Sequence, residues 1–133
     1  MCFPSNCLRG IYNSTNITPE GAISSDLFYP QHGSNISINW EDDQHVLDFT
    51  FEQRKDGEYQ FKYGVARLPY SGIQEVISAP TLPGAIVCNR EPIEGVNPYH
   101  GNIIYRDDLS KGAKRMIAGM LALKISNILP RNG

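Results

Sequence analysis

Apolar and polar positions alternate most clearly between residues 34 and 68. Three runs in this region place their apolar side chains on one face, as the two-residue period of a β-strand requires. The shared positions are Ile36, Ile38 and Trp40, then Leu47, Phe49 and Phe51, and finally Tyr59, Phe61, Tyr63 and Val65. The pattern predicts an antiparallel meander over residues 34–68 with one buried face.

The register of this meander depends on the loop around Gly57. A two-residue loop would set Phe51 opposite Lys62 and break the shared apolar face. A three-residue loop that ends at Gly57 sets Phe51 against Phe61, with the glycine in the left-handed region. We therefore predict the three-residue loop and a positive φ at Gly57.

A second clear pattern has helical spacing and precedes Pro130. Apolar residues recur there every three or four positions, and Ser110 is a suitable N-cap, so we predict a helix over residues 110–129. Weaker patterns predict strands at 8–12, 85–88 and 102–106 and a short helical segment at 73–78. The predicted fold is a single α+β domain over 1–133, an antiparallel sheet with one long C-terminal helix packed on one face.

Composition and charge narrow the classes of function. Twelve Lys and Arg stand against fourteen Asp and Glu, a net charge of -2, which disfavours nucleic acid as the main partner. No apolar run approaches the roughly 18 residues that would span a bilayer. The start of the chain lacks a secretory pattern, and the three cysteines match neither a disulfide framework nor a zinc site. We expect a cytoplasmic protein with free thiols, no cofactor and no membrane partner.

Acidic residues concentrate in and after the first turn of the predicted meander. Converging carboxylates can hold Mg²⁺ for hydrolytic chemistry. The residues concerned are Glu41, Asp42, Asp43, Asp48 and Glu52. On the predicted hairpin they lie in the turn or on the solvent face, so we predict no metal site.

A polar turn before the predicted strand at 102–106 carries the densest group of candidate catalytic side chains. A histidine flanked by a tyrosine and carboxamides is suited to proton transfer near neutral pH. The candidates are Asn97, Tyr99, His100 and Asn102. No Ser-His-Asp, Cys-His or HExxH spacing surrounds them, and a turn with a structural or binding role explains the same residues. We expect His100 to be exposed or half-exposed.

The start of the predicted C-terminal helix is basic. Residues 106–133 hold six Lys and Arg and two Asp, and cations near a helix N-terminus oppose the helix dipole. An anion site built from free backbone N–H groups and nearby side chains would explain this conflict. The candidate phosphate ligands are Ser110, Lys111, Lys114 and Arg115. Neutralisation by the two Asp residues is the simpler explanation.

One side of this helix carries small residues where polar ones are usual. The apolar stripe covers more than half of the circumference, too much for a helix that covers only one sheet. The small side consists of Ala118, Gly119, Ala122 and Ser126. It predicts an interface with a protein partner or with a second copy of the chain. Lys124 falls within the apolar stripe, where it must extend to solvent or pair with a carboxylate.

Structural explanations account for each candidate catalytic cluster. The sequence therefore favours a small soluble non-catalytic interaction or regulatory module that acts through a protein partner or self-association. Two alternatives stay open. One is a small hydrolase, acting for example on nucleic acid, with His100 as general acid/base. The other is a domain that binds a phosphate-bearing ligand at the start of the C-terminal helix.

Overall fold

An antiparallel sheet of six strands forms the centre of the molecule. The computed structural model describes residues 3–130. In chain order the elements are β1 Asn6–Gly10, β2 Asn35–Trp40, α1 Val46–Glu52, β3 Arg54–Lys55, β4 Glu58–Tyr59, β5 Val65–Pro69, α2 Tyr70–Ile77, β6 Ile86–Arg90, β7 His100–Tyr105, α3 Lys111–Leu123 and β8 Asn127–Leu129. The six strands lie in the order β6-β7-β2-β1-β5-β8, and β3 and β4 form a separate hairpin. The predicted α+β class is confirmed.

One face of the sheet is apolar and carries the main core. Residues that stand opposite each other on antiparallel strands share a face, and Ile36 stands opposite Ile103 while Cys7 stands opposite Trp40. Helices α2 and α3 and the 3₁₀ helix Ser25–Phe28 bury their apolar side chains in the same cluster. Burying this continuous apolar surface is the main term that stabilises the fold.

The other face of the sheet is polar over much of its area. His100 stands opposite Asn39, and Asn102 stands opposite Ser37. A smaller apolar cluster, centred on Leu8, Val46 and Val65, fixes α1 over one end of this face. The remainder of the face is therefore available for polar chemistry.

The predicted meander over 34–68 is wrong beyond its first strand. Residues 46–52 form α1 rather than a strand, because Val46 and Thr50, four residues apart, both face the interior. The Asp43 side chain accepts a hydrogen bond of 2.8 Å from the His45 backbone N–H just before the helix. The apolar residues at 47, 49 and 51 are compatible with a short helix as well. Phe49, for example, packs against the ring of Tyr99 at a centroid distance of 5.3 Å.

The predicted three-residue loop is also wrong. Arg54 pairs with Tyr59 and Lys55 with Glu58, which leaves a two-residue turn. Both turn residues have positive φ, 55° at Asp56 and 80° at Gly57, so the left-handed glycine was predicted correctly. The exclusion of the short loop assumed that Phe51 belonged to a strand. With that residue in α1, the register constraint disappears.

The other predicted elements are present with shifted ends. The strands predicted at 8–12, 85–88 and 102–106 are β1, β6 and β7, and the helical segment at 73–78 is α2. The Ser110 side chain accepts a hydrogen bond of 3.1 Å from the Ala113 N–H, as an N-cap does.

The C-terminal helix is shorter than predicted. It ends at Leu123, and the chain then forms β8. The reason is the free edge of β5. The Ser126 N–H donates to the Arg67 carbonyl at 3.0 Å, and Ile128 pairs with Ala66. Continuing the helical spacing past residue 123 would have left that edge unpaired.

Lys124 lies at the end of α3 and reaches outward. Its Nζ stands 3.1 Å from the Glu75 carboxylate on α2, and both side chains are partly exposed. The lysine therefore pairs with a carboxylate of the same chain, while its aliphatic stem lies beside Gly72 of α2.

Candidate functional site

The two central strands of the sheet separate soon after they meet. β1 and β2 pair only at Cys7 with Trp40 and Leu8 with Asn39. Each strand pairs over five residues with its outer neighbour, β1 with β5 and β2 with β7. The sheet is thus two well-paired halves that share a short seam.

Arg9 bridges the strands where they part. Its Nη1 donates to the Ser37 carbonyl of β2 at 3.0 Å, and its Nε donates to the Leu27 carbonyl at 3.0 Å. A side chain therefore supplies a hydrogen bond to β2 in the region where backbone pairing with β1 has ended. The same two bonds fix the plane of the guanidinium.

A cleft of about 570 Å³ opens beside this separation. Its volume lies within the range of roughly 300–1,000 Å³ that small-molecule sites occupy. Phe61 forms part of its wall and lies directly over Gly10 of β1, where a β-carbon would overlap the ring. Six amide side chains line it: Gln31, Asn35, Asn39, Gln53, Gln60 and Asn97.

A chain of buried hydrogen bonds organises the amide wall. Asn97 Nδ2 donates to Asn39 Oδ1 at 2.9 Å, and Asn39 Nδ2 donates to Thr50 Oγ1 and Gln53 Oε1, each at 2.9 Å. The Thr50 hydroxyl donates in turn to the Val46 carbonyl at 2.8 Å. Because each member has a partner, the network joins α1, β2 and the loop before β7 in one rigid arrangement.

Among the described residues, the cleft is lined by basic side chains and by no acidic one. Its lining includes Arg9 and two histidines, His32 and His100, and no aspartate or glutamate. Within residues 3–130, no carboxylate lies within 4.0 Å of the Arg9 guanidinium. The ring of Tyr12 lies beside it, with the centroid 5.4 Å from Cζ. Burial lowers the pKa of Arg9 from its ordinary value, as expected for a charge without a counter-ion.

The structure brings two of the four predicted catalytic residues together. His100 is half-buried and lines the cleft, and so does Asn97, which is 5% exposed. Tyr99 does not line it, and its hydroxyl lies 3.5 Å from the Asp43 carboxylate. Asn102 is 4% exposed, and its Nδ2 donates to Asn89 Oδ1 at 3.3 Å, away from the cleft.

The candidate phosphate ligands lie elsewhere, at the start of α3. Ser110 is occupied as the N-cap, Lys111 is exposed, and Arg115 lies over the ring of Tyr29, with Cζ 5.7 Å from the centroid. Lys114 is partly exposed. The two Asp residues that were expected to neutralise these cations have other partners. Asp108 pairs with Arg106 at 2.6 Å, and Asp107 accepts a hydrogen bond from the Ser34 hydroxyl at 2.9 Å.

The predicted small-residue interface divides between core and surface. Ala118 is fully buried within this chain, which removes it from any interface. Gly119 and Ala122 are partly exposed and Ser126 is exposed. Ala122 and Ser126 line a shallow groove of about 400 Å³ between the end of α3 and β8. Leu123, in the same groove, is 85% exposed.

The acidic residues of the first turn serve as structural partners. Glu41 receives two hydrogen bonds of 2.8 Å from Arg67, and Asp42 pairs with Arg90 at 2.8 Å. In the described part of the chain, no group of three or more His, Cys, Asp or Glu side chains could hold a metal ion. The described cysteines, Cys7 and Cys88, are free thiols.

The chain matches no protein-family model, no curated protein and no solved structure. None of the helices within residues 3–130 is both long and apolar enough to cross a membrane. The cleft and the groove beside β8 are therefore the two candidate sites.

Proposed function

We propose that this protein is a non-catalytic interaction module that recognises its ligand in the cleft beside the β1–β2 separation. The observation that carries the proposal is the lining of the cleft, where six amides and Arg9 surround a volume of about 570 Å³. Such a surface combines apolar side chains with a few polar groups that can orient a ligand, as small-molecule sites do.

The hydrolase alternative has less support. A catalytic histidine needs a group that orients its ring and a nucleophile or water that it can activate. No carboxylate lines the cleft beside His100. The Thr50 hydroxyl, a candidate nucleophile in the same cleft, already donates to the Val46 carbonyl. These contacts favour binding over turnover.

Nuclear magnetic resonance of the ¹⁵N-labelled chain tests the proposal. Small carboxylates, phosphate esters, neutral amides and amines are added separately at millimolar concentration. We expect at least one class to shift the backbone signals of Ser37, Asn39 and Gln53, with the α3 signals of Lys111–Leu123 as an internal control. Absence of cleft shifts for every class would reject the cleft as the recognition site.

A parallel assay separates binding from catalysis. Activated esters and phosphodiesters are incubated with the wild type and with His100→Ala. We expect no turnover above the rate without protein for either variant. Turnover that His100→Ala abolishes, in a variant that keeps the wild-type melting temperature, would replace the proposal with the hydrolase alternative.

A second candidate function is self-association through the groove beside β8. The specific observation is that β8 is an edge strand that places Ile128, 36% exposed, next to the exposed Leu123. Unpaired edge strands accept a strand from another molecule, so a second copy of the chain could extend the sheet and cover both side chains.

Light scattering tests this candidate. We expect Leu123→Glu to shift any dimer of the wild type towards monomer, because the charge would be buried at the interface. Met116→Glu, at an exposed position of α3 outside the groove, is the matched control. A monomeric wild type at high concentration would reject self-association.

A further inference from the structure

Arg9 is a cation whose charge lacks a partner in the described part of the chain. Within residues 3–130, three other arginines pair with a carboxylate: Arg67 with Glu41 and Arg90 with Asp42 at 2.8 Å, and Arg106 with Asp108 at 2.6 Å. Arg9 instead donates to two backbone carbonyls, at Leu27 and Ser37. These two bonds and a side-chain hydrogen bond with Tyr12 occupy several of its five N–H donors but leave its positive charge without a carboxylate partner.

The cleft beside Arg9 excludes acidic side chains altogether. The chain has fourteen Asp and Glu residues, and none lines the cleft. A cation ligand would find no counter-charge there, whereas an anion would find a fixed guanidinium. Arginine suits this role because its planar group donates two parallel hydrogen bonds to a carboxylate or phosphate.

The number of fixed charges distinguishes these two anions. Arg9 is the only Arg or Lys that lines the cleft within residues 3–130. A carboxylate carries one negative charge and is balanced by one guanidinium. A phosphate monoester carries about 1.5 to 2 negative charges at neutral pH and would need a second cation.

The amide wall indicates what the rest of the ligand carries. Asn39, Asn97 and Gln53 bond to one another, and Gln31, Asn35 and Gln60, the other amides of the cleft, can offer donors and acceptors to a ligand. Such groups complement an amide of the ligand. Leu8, Ile36 and Phe61 add apolar surface to the same cleft.

We propose that the cleft binds a compact monocarboxylate that also carries an amide group, with the carboxylate held by Arg9. An acylated amino acid and the C-terminus of a peptide share this chemistry. The inference rests on the proposed function and deepens it by naming the ligand class. Arg9 acts as a binding residue, and Asn39 acts as a positioning residue for the amide wall.

The test compares N-acetylalanine with N-acetylalaninamide, in which a neutral carboxamide of similar size replaces the carboxylate, by ¹⁵N chemical-shift titration of the wild type. We expect the acid to bind at least tenfold more tightly than the amide and to shift the signals of Arg9 and Ser37. A short peptide with a free C-terminus, and the same peptide amidated, distinguish the free amino acid from a peptide end as the source of the carboxylate.

Two variants localise the charge contact. Arg9→Gln removes the charge while keeping a side-chain donor, and we expect it to weaken N-acetylalanine at least tenfold. Arg54→Gln is the matched control, because Arg54 is exposed on β3, outside the cleft, and its loss changes the net charge equally. Because Arg9→Gln also alters the bridge to β2, the comparison of the two probes on the wild type stands as evidence without any variant.

The outcomes are distinguishable. Equal binding of the acid and the amide would overturn the inference and leave the cleft as a binding site. Tighter binding of inorganic phosphate than of N-acetylalanine would overturn it in favour of a phosphate ligand. Absence of any cleft shift with acid, amide or phosphate would overturn the inference, and the proposed function falls only if the wider set of compounds also fails.

Discussion

At the scale of single residues, two glycines occupy positions that other residues cannot take without strain. Gly57 has a φ of 80° in the two-residue turn between β3 and β4. Gly101 of β7 lies beneath the Trp40 indole, and a β-carbon there would overlap both the indole nitrogen and the Asn89 carbonyl. The first position needs backbone freedom and the second needs space, so they respond differently to substitution.

Replacing Gly57 with Val should lower the free energy of unfolding by about 1 kcal/mol or more, because a β-branched residue is strained at positive φ. Asn tolerates the left-handed region, so Gly57→Asn should cost clearly less. Urea denaturation measures both variants. Equal midpoints for wild type and Gly57→Val would contradict the turn geometry.

Replacing Gly101 with Ala should lower the free energy of unfolding by about 1–3 kcal/mol, the usual range for overpacking a tight site. The indole of Trp40 donates a hydrogen bond of 2.8 Å to the Asn89 carbonyl, so neither atom can move without losing it. Gly119→Ala on α3 is the control. Beyond the helix's own adjacent backbone, nothing lies within 4 Å of the added carbon, and alanine should stabilise the helix by about 0.5–1 kcal/mol.

At the scale of elements, the position of α1 depends on one polar side chain of the sheet. Asn39 bonds to Thr50 and Gln53 of the helix region and to Asn97 of the following loop. Replacing it with Ala should cost about 1–3 kcal/mol, because buried polar groups lose their partners.

Gln60→Ala removes another amide of the cleft that lies outside this network, and it should change stability by less than about 0.5 kcal/mol. Thermal unfolding followed by circular dichroism compares the two variants. A loss for Asn39→Ala no greater than that for Gln60→Ala would show that the network does not hold α1.

The elements that the sequence predicted correctly are those with a single interpretation. The alternating apolar residues at 36, 38 and 40 are all buried in β2. The N-cap Ser110 precedes a long helical pattern. The alternation at 47, 49 and 51 was ambiguous, because seven residues are too few to separate a period of two from one of 3.6. Non-local contacts decided it.

The cleft was only partly visible from the sequence. His100 and Asn97 stood out because they lie in a polar turn, and both line the cleft. Arg9 and Asn39 were not predicted as site residues. Arg9 lies between Leu8 and the apolar Ile11, which is a weak signal, whereas Asn39 occupies an ordinary polar position of an alternating strand. Their importance comes from the separation of β1 and β2, and pairing between distant segments cannot be deduced from local patterns.

At the scale of the whole molecule, buried acidic protons should make the fold sensitive to alkali. Burial raises the pKa of the Cys7 thiol above its ordinary value of 9.0 and that of the Tyr105 phenol above its ordinary value of 10.0. The thiol and the phenol therefore lose their protons at a lower pH in the unfolded chain than in the folded chain. The stability they supply is therefore complete below about pH 9 and decreases as pH rises further.

Cys7 alone should remove up to about 1.4 kcal/mol from the free energy of unfolding for each pH unit above its ordinary value. Urea denaturation at pH 8 and at pH 10 measures the decrease. Cys7→Ala should show a smaller decrease, whatever its stability at pH 8. A decrease of the same size in the two proteins would contradict the assignment of the effect to this thiol.

The short seam between β1 and β2 also bears on the order in which the sheet assembles. Strands β2, β5, β6 and β7 all lie within residues 35–105, whereas β1 and β8 come from residues 6–10 and 127–129. Bringing distant segments together closes longer loops and is slower. The half that contains β2 can form as soon as residue 105 has left the ribosome. Strand β8 pairs with β5 and begins at residue 127, so the edge of the sheet beside β5 is completed last, after both walls of the cleft have been synthesised.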